Sequence, residues 1–66
     1  MKLYDVNDYT KVKLLEDGKI PPAALPVIKD DIVIFHEIDG MYGKCINKDG
    51  DVVYIAAWTE VEIINK

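Results

Sequence analysis

Arginine is absent from this chain of 66 residues, and cysteine, histidine and tryptophan each occur once, as Cys45, His36 and Trp58. One cysteine excludes an internal disulfide, and one cysteine with one histidine cannot supply the ligands of a structural zinc site. No apolar run approaches the roughly 20 residues that span a bilayer; the longest cover residues 32–35 and 52–58. No apolar signal segment follows Met1-Lys2-Leu3-Tyr4-Asp5, which predicts a protein that is not exported, and a free thiol fits a reducing cytoplasm. Without arginine, and with a formal net charge of −4, the chain lacks the clustered cations that neutralise phosphates, which argues against nucleic acid as its partner. No motif calls for a cofactor.

What is present is an apolar half of the composition, enough for one core in a single domain spanning residues 1–66. A chain of this size buries only about 60% of the surface its unfolded form exposes, so every core side chain counts. Three Asp-Gly pairs, Asp17-Gly18, Asp39-Gly40 and Asp49-Gly50, punctuate stretches rich in Val, Ile and Tyr. Glycine supplies the positive φ of tight turns and aspartate bonds nearby amides, so these read as hairpin connections. Asn47-Lys48-Asp49-Gly50 suits a type I turn closing into a bulge.

Between the turns, strands are expected over residues 10–15, 31–38, 42–46, 52–56 and 61–64. In the first, Val12 and Leu14 alternate with Lys11 and Lys13 and should face inward. The uninterrupted apolar stretch of the second, residues 32–35, predicts a central strand covered in part on both faces. Pro26 interrupts the one plausible helix, residues 22–28, leaving a long loop with three prolines. A short 3-10 turn is expected within residues 56–60. Residues 1–9 read as a loosely attached N-terminal segment.

This order of elements resembles the SH3-like barrel: all-β, five strands, a long proline-containing first loop and a short 3-10 turn before the last strand. Residues also resemble that family between Lys29 and Ile64, where Lys29-Asp30-Asp31, Asp39-Gly40-Met41-Tyr42 and Val53-Tyr54-Ile55-Ala56 stand at its characteristic segments. In that family, proline-rich peptides dock against a tryptophan after the Asp-Gly turn, a proline after the Tyr-Ile pair and a tyrosine in the helical turn. This chain has Met41, Ala56 and Thr59 at or near those places. The resemblance therefore implies the barrel without its polyproline slots.

Candidate chemistry is sparse. Asp30 and Asp31 are adjacent, so on a strand they point to opposite faces and cannot share a substrate. Asn47, Asp49 and Asp51 alternate as in a calcium loop, but the glycine offset is wrong and Trp58 stands where the closing carboxylate belongs. His36 and Cys45 could pair as base and nucleophile across neighbouring strands; a small inward-packing Cys45 is the simpler reading. These residues predict no enzyme.

Two features suit protein binding instead. Pro21 and Pro22 stiffen an exposed loop, while Ile20, Leu25 and Val27 have the character to fold back over the barrel end. Met41, Tyr42, Tyr54 and Trp58 are residue types enriched where protein interfaces carry their energy, although the single tryptophan of so small a chain is expected to be buried or half-buried in the core. The expectation is a small acidic adaptor or inhibitor using Met41, Tyr42, Tyr54, Trp58, Pro21 and Pro22 against a protein partner, with no membrane involvement. Its arginine-free, Lys-, Ile- and Asp-rich composition resembles short reading frames of AT-rich bacteria, their phages and mobile elements. A nucleic-acid- or ribosome-associated barrel, or a self-associating subunit pairing an exposed strand edge, is the competing expectation.

Overall fold

Alternation fixes the first strand, and each later strand is delimited by a turn whose chemistry can be read in place. The computed structural model describes residues 1–64. Its strands are β1 (Thr10–Leu14), β2 (Ile32–Asp39), β3 (Tyr42–Ile46), β4 (Val52–Ala56) and β5 (Val61–Ile63). They form one sheet in the order β4-β3-β2-β1-β5, and every neighbouring pair is antiparallel. The all-β fold of five strands, with the long proline-containing loop between the first two, is thus the one expected. Strand ends move by a single residue, leaving Leu15, Asp31 and Ile64 just outside.

The β3–β4 turn has the predicted chemistry. Gly50 N donates to Asn47 O at 3.0 Å, Gly50 takes φ +86, and Asn47 Oδ1 accepts the amides of Asp49 and Asp51, both at 2.9 Å. Between β2 and β3 only Gly40 and Met41 intervene, with Gly40 at φ +66, the positive first central angle of a type II′ turn. Asp17-Gly18 is different. Gly18 lies inside the long loop with its N–H on Val27 O, and a Cβ there would come within 2.6 Å of Ile55 Cγ2. Close packing, rather than a hairpin turn, requires glycine at this position.

The sheet wraps a core of Leu3, Val12, Leu14, Val33, Phe35, Cys45, Val53, Ile55 and Val61, all essentially without exposure. β4 and β5 do not pair with each other. Residues 15–19 bridge them instead: Leu15 N donates to Glu60 O at 2.9 Å and Lys19 O accepts from Ala56 N at 2.8 Å. Ile20 and Val27 then fold over the core as expected of the loop, whereas Leu25 stays exposed. Ahead of β5 a single turn closes through Thr59 N on Ala56 O at 3.0 Å, reinforced by the Thr59 hydroxyl on the same oxygen at 2.7 Å.

Two further expectations are corrected. The N-terminal segment is part of the core: a 3-10 turn at Leu3–Asp5 leaves Leu3 0% exposed. Leu3 N donates to Thr59 O and Tyr4 N to Ala57 O, and Lys2 Nζ meets Glu60 at 2.9 Å. That ion pair holds Glu60 below and Lys2 above its ordinary pKa, chiefly through the shared hydrogen bond. The second correction concerns β2, which is central but covered on one face only. Ile32 and Ile34 alternate with buried Val33 and Phe35 and stand 44% and 38% exposed, because a single sheet offers one interior. Among the described residues no helix is long and apolar enough to cross a membrane.

Candidate functional site

Of the residues singled out for binding, Met41, Tyr42 and Trp58 meet at two consecutive alanines, Ala56 and Ala57, where β4 leaves the sheet. Ala57 N donates to Met41 O at 2.9 Å, and Ala57 O accepts from Tyr4 N at 3.0 Å. Tyr42 stands opposite Ala56 in the β3–β4 register. Lys19, bonded to Ala56, leads after Ile20 into the turn that starts at Pro21, where Ala24 N meets Pro21 O at 3.2 Å. Trp58 follows directly. Small side chains at 56 and 57, both buried, let these four segments approach one another.

Exposure decides what the convergence presents. Met41 is 62%, Tyr4 54% and Trp58 42% exposed, three large apolar side chains on residues bonded or adjacent to Ala57. Met41 is exposed because it occupies the tip of a two-residue turn; Trp58 is half-exposed because the turn at 56–59 swings it off the strand. Pro22 is exposed and Pro21 half-buried. Asp5 and Asp39, both exposed, follow Tyr4 in sequence and face Tyr42 across the β2–β3 register respectively, giving the patch an acidic border.

Tyr54 is the member set apart. It sits on the outer face of β4 opposite Lys44, and that face continues through Ile46 and Val52 to Ile32 and Ile34. An open groove of about 530 Å³ runs there, lined by Ile32, Ile34 and Ile46 with Asn47 and Lys48 at one end. Sequence reasoning missed Tyr4 and this outer row. For Tyr4 no periodicity existed to find. For Ile32 and Ile34 the signal was present, since alternate residues of any strand share a face, but unbroken apolarity concealed it.

The remaining candidates fall into structural roles. Asp30, at φ +75, and Asp31 belong to a turn in which Asp31 Oδ2 accepts the Ile28 amide at 3.1 Å. Thr59 is buried beneath the patch. His36 is the extra residue of a β-bulge between Phe35 and Glu37, and its ring lies edge-on to Tyr9 with centroids 4.7 Å apart. Cys45 faces the core opposite Phe35, its Sγ donating to Gly43 O at 3.8 Å.

No known family, curated protein or solved structure matches this chain. The reading of the site therefore rests on its own geometry.

Burial pushes the Cys45 thiol up to about 12, whereas an unfolded cysteine ionises near about 8.5. The neutral thiol thus contributes its stability in full below that lower value, and the contribution is lost as pH rises toward about 12. The unfolding free energy of the wild type from urea denaturation should fall faster between roughly pH 9 and pH 11 than that of Cys45→Ala, by about 1–3 kcal/mol over the interval. Parallel declines would mean that the thiol is solvated.

Proposed function

We propose that this chain is a small non-enzymatic protein-interaction module, an adaptor or inhibitor, that binds through the patch of Tyr4, Met41 and Trp58. Tyr42 and Tyr54 extend the contact onto the sheet, and Pro21 and Pro22 border it. The observation that supports this reading is the exposure of three large apolar side chains held by backbone bonds around Ala57. Scattered single apolar residues are ordinary on any surface; an aromatic and methionine cluster at one point is the composition of interface hot spots. The acidic border and net charge of −4 favour a partner whose apolar contact is ringed by lysine or arginine. Buried, unpaired Cys45 accords with a reducing cytoplasm, and the arginine-free composition with a bacterial or phage origin.

The test is capture from a cytoplasmic lysate on immobilised full-length chain, comparing wild type, Trp58→Ala with Met41→Ala, and Ile28→Ala as an exposed control elsewhere. Retention of a specific protein by wild type and by the control, with its affinity lowered at least about 30-fold by the double substitution, is expected for hot-spot residues. Equal retention by all three sinks the patch. Salt-sensitive retention on RNA or DNA, unchanged by the double substitution, would replace the reading with nucleic-acid binding.

A further inference from the structure

The two outer strands of the sheet are treated differently. On β5, Val61 N bonds Met1 O at 2.8 Å, Lys2 bridges to Glu60, and Glu60 and Glu62 put charge along the strand. Added chain and charge are the usual guards against edge-to-edge pairing. β4 carries neither charge nor proline nor bulge over Val52–Ala56.

Which groups β4 turns outward follows from its register. Asn47 N on Asp51 O and Ala57 N on Met41 O are bonded pairs at odd positions, so bonding alternates and the odd residues of β4 face β3. Val52, Tyr54 and Ala56 therefore direct their N–H and C=O groups away from the sheet. Ala56 N is taken by Lys19 O. Among the described residues, the outward backbone groups of Val52 and Tyr54 have no backbone partner, and Val52 is an exposed side chain.

We infer that this edge pairs with the same edge of a second copy, antiparallel about a two-fold axis at Val53. The arrangement is self-complementary: Val52 of each copy stands opposite Tyr54 of the other, and each such pair exchanges both backbone hydrogen bonds. On the outer face it sets a tyrosine beside a β-branched side chain twice, a favourable cross-strand combination, and places no like charges opposite one another. Lys19 at Ala56 and the Gly50 turn end the ladder on either side, so the contact is short and the dimer weak. Two chains of net charge −4 repel, so added salt strengthens the association. Pairing here leaves Tyr4, Met41 and Trp58 around Ala57 free and engages only Tyr54 among the residues proposed for binding; the inference does not depend on the function proposed for that patch.

Sedimentation equilibrium of the full chain between roughly 10 µM and 1 mM, at low and moderate salt, is the first measurement. A mass rising toward the dimer, and rising further with salt, is expected. Amide hydrogen exchange at the two concentration limits then locates the contact. The Val52 and Tyr54 amides should slow at least about tenfold at the upper limit, while Val53 and Ile55, already bonded to β3, change little. Val52→Lys, at an exposed site that leaves the β3 ladder intact, should hold the chain monomeric with an unchanged far-UV spectrum. A monomer throughout the range, a dimer in which Val52 and Tyr54 exchange unchanged, or a dimer that survives Val52→Lys would each overturn the inference.

Discussion

Replacing Leu3 by alanine is expected to cost about 2–5 kcal/mol, the range for emptying a fully buried leucine site. In a domain whose core supplies only about 3–5 kcal/mol of net stability, that is enough to unfold a large share of the molecules. The reason is local. A Cβ placed on Gly43 would come within 2.4 Å of Leu3 Cδ2, so the leucine tip occupies the space that β3 leaves open there. Urea denaturation followed by Trp58 fluorescence measures the loss, with exposed Leu25→Ala as a control expected within about 0.5 kcal/mol of wild type. Gly43→Ala supplies an internal check: it should destabilise the wild type by about 1–3 kcal/mol through overpacking. In the Leu3→Ala background it should cost little, because the added methyl enters the vacated space. A small loss from Leu3→Ala, or additive losses in the double variant, would place Leu3 outside the core.

That result bears on how much of the fold could be read in advance. Turns were legible because their chemistry is local: Asn47 caps its own loop, and Gly40 and Gly50 occupy positive φ. Val12 and Leu14 were legible because lysines alternate with them. What could not be read depends on distance along the chain. Leu3 is held by Thr59 O, more than fifty residues away, and no spacing within residues 1–9 announces that contact. Gly18 had the composition of a hairpin turn, yet its role is set by the close packing of Ile55, more than thirty residues away along the chain.

The binding surface divides in the same way. Met41 and Trp58 were identifiable as residue types suited to interfaces. Their meeting at Ala57 is a property of the β3–β4 register together with the turn at 56–59, and Tyr4 joins them only because the N-terminal segment packs. Composition therefore named most of the members, while the geometry that makes them one patch required the fold.

Phe35→Ala should have the largest effect of any single substitution here, about 3–5 kcal/mol. Phe35 is the bulkiest fully buried side chain, and it stands where three constraints meet. It pairs with Thr10 on β1 and with Cys45 on β3, and its carbonyl accepts the Tyr9 amide at 2.6 Å. It is also the last residue before the bulge at His36. Its side chain lies over Gly43 beside Leu3, with Cε1 3.2 Å from where a Cβ would stand, so alanine leaves a cavity that Gly43 cannot fill. Phe35→Leu keeps most of the volume and should cost clearly less than Phe35→Ala, since the cavity term scales with the space left empty. Phe35→Ala and Cys45→Ala, neighbours across one cavity, should couple by at least about 0.5 kcal/mol. Chemical denaturation of the variants, with midpoint and slope both fitted, separates these outcomes. If Phe35→Ala costs less than about 1 kcal/mol, the interior at this point is not packed around the ring, and the register that sets His36 and Tyr9 against each other must be held by something other than the core.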